Sequence, residues 1–184
     1  ERLRRCAYTL ARALDRVVSR NDYPIDEAMN SNFRHRPVGI GVQGLADVFA
    51  LLGLPYESEE ARALNRDIFE ALYFAALTES CALAEARGAY GTFAGSPVSR
   101  GILHFDQWGD EGKVREVDQG GRWDWRGLRA RIATHGLRNS LLVAPMPTAS
   151  TAQILGNTEC FEPFTSNLYV RRVSAGEFAI VNKH

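Results

Sequence analysis

Three observations predict an α/β fold. Long segments carry apolar residues at helical spacing, short apolar runs of strand length lie between them, and glycine or proline turn signals separate the two. Leu3, Cys6, Leu10, Leu14 and Val17 predict an opening amphipathic helix, stopped at Asn21-Asp22-Tyr23-Pro24 because proline cannot continue it. Asn30-Ser31-Asn32 reads as a polar loop. Residues 37–42 are short, apolar and glycine-rich, as in a strand that another backbone approaches closely. A helix then runs from Leu45 to Leu52 and ends at Gly53 and Pro55. Ser58 is a good N-cap, and Glu59 and Glu60 suit the positive end of the helix it opens. Leu64, Ile68, Leu72, Ala75, Ala76 and Leu83 carry that helix to Arg87, with Gly88 as its cap. Phe69, Tyr73 and Leu77 widen its apolar face, so it is expected to be covered on more than one side.

Residues 88–122 are rich in glycine, serine and charge and read as irregular, with 109–122 a long loop. Trp123 to His135 is helical and closed by Gly136. Ser140-Leu141-Leu142-Val143-Ala144 has the continuous apolar character of a fully buried strand. Thr148-Ala149-Ser150-Thr151 opens a short helix ending near Gly156, and residues 167–173 and 178–181 read as further strands. No repeat or low-complexity segment interrupts the chain, and residues 1–184 are read as one unit without an internal boundary.

The 22 basic and 22 acidic side chains cancel. Such a balance argues against a general binder of nucleic acid or anionic membrane, which carries a basic excess. No apolar run approaches the roughly 20 residues of a bilayer span. Cys6, Cys81 and Cys160 are scattered and odd in number, which argues against a disulfide framework or zinc ribbon and fits a reducing, cytoplasmic setting. The chain opens at Glu1 and stops after a strand-like run, and so reads as a piece of something longer.

Gly39-Ile40-Gly41-Val42-Gln43-Gly44 matches G-x-G-x-x-G, but Phe33-Arg34-His35-Arg36-Pro37 before it is no buried strand, and Glu57, Glu59 and Glu60 belong to the next helix start. The dinucleotide reading is rejected in favour of close packing at the glycines. The four histidines show no metal-ligand spacing and read as surface or capping residues. Cys81 reads as a core residue. Glu159 and Glu162 disfavour a thiolate at Cys160. Arg34/Arg36 and Arg171/Arg172 read as surface ion-pairing clusters. The strongest local signal is Pro145-Met146-Pro147-Thr148-Ala149-Ser150-Thr151-Ala152-Gln153. A strand ends, two prolines set a turn, and a helix begins with small hydroxyl residues, whose free N–H and O–H donors suit a phosphate or diphosphate. Simple capping of a buried helix explains the same residues, and residues alone leave both readings open.

Taken together, the motifs resemble the large subunit of class I ribonucleotide reductase, most closely its eukaryotic-type branch. The resemblance rests on Pro145 through Asn157, on the run from Arg34 to Asp47, on Gly95-Ser96-Pro97-Val98-Ser99, and on Trp125-x2-Leu128-x7-Gly136-Leu137-Arg138-Asn139-Ser140. Glu162-Pro163-Phe164-Thr165-Ser166-Asn167 and Ser174-Ala175-Gly176-Glu177-Phe178 complete it. It implies part of a ten-stranded α/β barrel that reduces ribonucleoside diphosphates at the 2′-carbon. A thiyl radical, generated through a small subunit, abstracts the 3′-hydrogen, and two further cysteines supply electrons as they form a disulfide. It further implies that Thr148, Ala149, Ser150 and Thr151 hold the substrate diphosphate.

The expected partners are the remainder of the large subunit, a second large subunit, the radical-generating small subunit with its metallocofactor, and thioredoxin or glutaredoxin, with ATP and deoxynucleotides as effectors. No cofactor is assigned to this chain. The family's Asn-x-Cys-x-Glu motif is missing, so no catalytic residue is assigned either, and the isolated chain is expected to be inactive. Two other readings are a non-catalytic phosphate-binding piece of a split enzyme and part of the cobalamin-dependent relative.

Overall fold

A computed structural model describes residues 1–108 and 121–184. Much of the expected loop 109–122 therefore lies outside the described residues. The chain forms helices α1 (Arg2–Arg20), α2 (Asp26–His35), α3 (Leu45–Leu51), α4 (Glu59–Arg87), α5 (Trp125–His135) and α6 (Ala149–Leu155). Two 3-10 turns (Val98–Arg100 and His104–Trp108) and strands β1 (Leu168–Val173) and β2 (Gly176–Val181) are the other elements among the described residues. It is a mixed helix and strand fold. The residues group into two compact units, 1–40 with 67–144 and 41–66 with 145–184.

In the first unit, α1 buries Ala7, Ala11, Asp15 and Val18. The core gathers Leu77 and Cys81 of α4, Tyr90, Leu103 and Phe105 of the irregular stretch, Trp125, Leu128 and Ile132 of α5, and Leu137, Leu142 and Ile40. Residues 88–108 are thus anchored by buried apolar side chains. The Asp106 carboxylate also accepts from the two terminal nitrogens of the Arg129 guanidinium, at 2.8 and 2.9 Å. Segments 37–40 and 140–144 pair in parallel through Val38 N–H to Leu141 O (3.0 Å), Ile40 N–H to Leu142 O (2.8 Å) and Ala144 N–H to Ile40 O (3.1 Å). They form one isolated bridge, Ile40 with Val143, in place of the two full strands expected. Nor is 140–144 buried throughout: Leu142 is enclosed while Leu141 is 64% exposed, because successive side chains in an extended segment face opposite sides.

Two further expectations are corrected here. Asn30, Ser31 and Asn32 lie inside α2, not in a loop. No α2 residue is buried, so apolar periodicity could not reveal it. Its charges suit the helix dipole instead, with Asp26 and Glu27 in the first turn and Arg34 and His35 in the last. The Asn32 side chain donates to Ala28 O at 2.9 Å, a contact that turns a loop-favouring residue into a helical one.

Arg36 is no surface residue either. It caps α2 in the left-handed region (φ 48) and is 3% exposed. Its Nε donates to Asp15 Oδ1 at 2.8 Å, and one terminal nitrogen donates to Asp15 O and to Ser19 Oγ, each at 2.7 Å. Asn139, fully buried, donates to Arg36 O at 3.1 Å and accepts from Ser80 Oγ at 3.0 Å. A buried carboxylate needs such partners, since an unpaired charge in a core costs several kcal/mol.

In the second unit, Ser58 Oγ accepts from Ala61 N–H at 3.1 Å, the expected cap of α4. The hairpin pairs β1 and β2 antiparallel in the register Leu168 with Val181 through Val173 with Gly176. Arg172 pairs with Glu177 at 2.6 Å and Arg171 with Glu159 at 2.8 Å, so this basic pair does engage in surface ion-pairing as expected.

Candidate functional site

Pro145 and Pro147 lack an N–H and hold φ near −65°, so the chain enters α6 through a stiff turn. Thr148 stands at the N-cap, and Ala149 follows with φ 28, a positive value unusual for an L-residue. The Thr148 carbonyl accepts from Thr151 N–H (2.9 Å), Ala152 N–H (3.3 Å) and the Thr151 hydroxyl (2.7 Å). That hydroxyl also lies 3.1 Å from Gln43 Oε1, so its proton is taken within the protein. Thr148 Oγ1 behaves differently. It accepts the Cys160 N–H at 2.9 Å and donates to no residue among the described ones. Ser150 is exposed, and the Ala149 and Ser150 N–H groups have no hydrogen-bond partner among the described residues. Of the four residues assigned by resemblance, three therefore offer donors: Thr148 through its hydroxyl, Ala149 through its N–H, and Ser150 through both. Thr151 serves to close the turn.

The segment behind this loop is held by a carboxylate that the sequence reading did not single out. Asp47, the one charged residue of α3, is 6% exposed. It accepts from Thr158 N–H at 2.6 Å, from the Thr158 hydroxyl at 2.9 Å and from His184 Nε2 at 2.7 Å, with Lys183 Nζ at 3.4 Å. Burial pushes this carboxyl up, but the Thr158 N–H, His184 and the Thr158 hydroxyl outweigh it and hold the group below the usual carboxylate range. His184 is thus a partner of a buried acid, not a free surface residue.

Gly44 N–H donates to Thr158 O at 2.9 Å. Gly44 has φ 77, and a Cβ there would stand 3.3 Å from Asn157 Cβ, so close packing holds at this last glycine of the run. Buried Cys160 (φ 45) follows two residues later. The signal for Asp47 was a lone acid inside an apolar helical run. His184 carried none.

A concavity of this unit, about 640 Å³, lies between the 156–166 segment and the hairpin, with Asp47, Asn157, Arg171 and Lys183 in its lining. It does not include Thr148–Thr151, so the candidate phosphate loop is an exposed turn. Cys81 is fully buried in α4, where burial pushes its thiol up, as suits a core residue. Among the described residues no three His, Cys, Asp or Glu side chains converge as a metal would require, so these residues do not fit a metal centre. No described helix is long and apolar enough to cross a membrane.

A family profile described as the ribonucleotide reductase barrel domain matches residues 1–184. The ribonucleoside-diphosphate reductase large subunit of Trypanosoma brucei brucei is 57% identical over 188 residues, covering 99% of this chain and 22% of the relative. The large chain 2 of the Saccharomyces cerevisiae enzyme is 56% identical over all of this chain and 20% of its own length. The Arabidopsis thaliana large subunit is 56% identical over all of this chain and 22% of its own. The chain spans about a fifth of the length of these curated relatives. It belongs to the ribonucleotide reductase family, within the region that the barrel-domain profile describes.

Proposed function

We propose that this chain forms part of a ribonucleoside-diphosphate reductase large subunit, and that its Thr148–Thr151 turn grips the diphosphate of the substrate. The observation that carries the reading is the state of the donors. The Ala149 and Ser150 N–H groups have no partner among the described residues, and the Thr148 hydroxyl accepts the Cys160 N–H and donates to no described residue. Four neutral donors on one stiff turn suit a highly charged, oxygen-rich group, since each hydrogen bond to a charged partner contributes about 1.5–3 kcal/mol.

In the whole subunit this turn is one wall of a ten-stranded barrel. There the nucleoside diphosphate is reduced to its deoxy form by cysteines that other segments supply. The chain's own part is to bind and orient the phosphates. Oxidation and reduction are supplied by the small subunit's radical metallocofactor and by thioredoxin or glutaredoxin, in an assembly of paired large subunits regulated by ATP and deoxynucleotides.

Calorimetric titration of the chain with ADP, pyrophosphate and adenosine tests the site. ADP and pyrophosphate bind and adenosine does not, and Ser150→Ala weakens both by about tenfold, one charge-assisted hydrogen bond. Equal binding of adenosine, or unchanged affinity in Ser150→Ala, refutes the assignment.

A further inference from the structure

Helix α1 carries an apolar stripe that stays exposed. Leu3, Cys6, Leu10, Ala13 and Val17 recur every three or four residues, and all are exposed, Leu10 by 44% and Val17 by 55%. At about 100° per residue they lie within an arc of about 80°, in the a/d pattern of a helix–helix seam. The helix has a separate buried face, Ala7, Ala11, Asp15 and Val18, which packs into the first unit. α1 therefore has two apolar faces, of which only one is covered.

Beside the uncovered stripe runs a row of cations. Arg2, Arg5, Arg12, Arg16 and Arg20 are all exposed and fall on an adjacent arc of about 80°, spread over roughly 27 Å of helix. Arg12 pairs with Glu79 at 2.7 Å. Arg2, Arg5, Arg16 and Arg20 have no ion-pair partner among the described residues. A second copy of the chain laid on this stripe would bring arginines against arginines, which disfavours self-pairing.

We propose that this face of α1 docks an amphipathic helix whose apolar seam is flanked by Asp and Glu, supplied by large-subunit polypeptide outside these 184 residues. The seam demands an apolar ridge, the arginine row demands acids beside it, and the relatives are about five times longer than this chain.

Cys6 reports on the contact directly. It sits in the seam and is exposed, while Cys81 and Cys160 are buried. The experiment follows iodoacetamide alkylation of Cys6, mapped by mass spectrometry. It compares the isolated chain with the Trypanosoma brucei brucei large subunit in which these 184 residues replace the matching segment. Cys6 reacts readily in the isolated chain and about tenfold or more slowly in the chimera. Arg5→Glu with Arg16→Glu, which removes no side-chain hydrogen bond or ion pair among the described residues, restores most of the reactivity in the chimera.

Equal alkylation in chimera and isolated chain overturns the proposal. So does full protection in the charge-reversed chimera, which would mean an apolar occupant without acids. Protection in the isolated chain with sedimentation as a dimer assigns the face to a second copy and also overturns it. If the chimera does not fold, the isolated chain is titrated with a synthetic helix bearing Leu at a and d and Glu at the flanks. That peptide slows Cys6 alkylation, whereas a Lys-flanked twin leaves it unchanged. Equal effects of the two peptides, or none from either, refute the acidic partner.

Discussion

Replacing Arg36 with Met tests whether the first unit depends on its buried ion pair. The substitution keeps a long side chain and deletes the guanidinium that satisfies Asp15 through Nε at 2.8 Å and reaches Asp15 O and Ser19 Oγ at 2.7 Å. Asp15 is 0% exposed, so water does not replace the lost donors without local opening. Removing one partner of a buried pair costs about 3–5 kcal/mol. Arg138 and Arg87 remain 3.5 and 3.6 Å from the carboxylate, which places the expected loss at the low end, about 3 kcal/mol. For a domain of this size that corresponds to a fall in Tm of about 6–12 °C. Urea denaturation followed by circular dichroism gives the loss, and Asp15→Asn completes a double-mutant cycle. The double variant should cost at least about 1 kcal/mol less than the sum of the singles, since each removes the same contact. Additive losses, or an Arg36→Met cost below about 1 kcal/mol, refute the reasoning.

Gly136→Ala should cost about 1–3 kcal/mol in urea denaturation, because Gly136 has φ 75 and an added Cβ would stand 2.7 Å from Ala89 Cβ. Acid should destabilise the protein through Asp47 and Asp106, whose carboxyls sit below the ordinary 3.8. In each, burial pushes the carboxyl up and is outweighed, by Thr158 and His184 for Asp47 and by Arg129 and the Leu103 N–H for Asp106. A carboxyl depressed in the folded state contributes its full stability above its unfolded value, and that contribution is lost as pH falls through the folded value. Tm should therefore hold above about pH 5 and fall below about pH 4, with a shallower fall in Asp47→Asn plus Asp106→Asn; an unchanged slope counts against these two acids. Supplied with a small subunit and a dithiol reductant, the isolated chain should form no deoxynucleotide, and measurable product by chromatography would show that the chemistry does not need other segments.

Much of the local structure was legible from the residues. Helices α1, α3, α4 and α5 follow from apolar spacing, and Ser58 and Gly88 mark the ends of α4 because a cap acts on donors or carbonyls within three or four positions. The two strands at 167–173 and 178–181 followed from short apolar runs, while their antiparallel pairing came from the structure. α2 escaped because it buries nothing. Pairing of 37–40 with 140–144 was reduced to a single bridge, which no local apolar run foretells.

The candidate loop shows the same division. The reading of it as a phosphate-binding turn rests on nine consecutive residues, Pro145 to Gln153, whereas the family resemblance rests on several motifs spread along the chain and matched across residues 1–184. Which of its hydroxyls are engaged was decided partly by residues far away: Gln43, 108 positions from Thr151, lies 3.1 Å from the Thr151 hydroxyl, and the Cys160 N–H donates to the Thr148 hydroxyl. The same holds for charge. A basic residue in Arg34-His35-Arg36 looks like surface until helix packing brings Asp15, 21 positions away, against it; His184 looks terminal until it meets Asp47, 137 positions away. Backbone preferences and caps act over a few residues and are written in the order of the chain. Burial, ion pairing and the availability of a hydroxyl depend on what packing excludes from water, so the folded arrangement alone settled them.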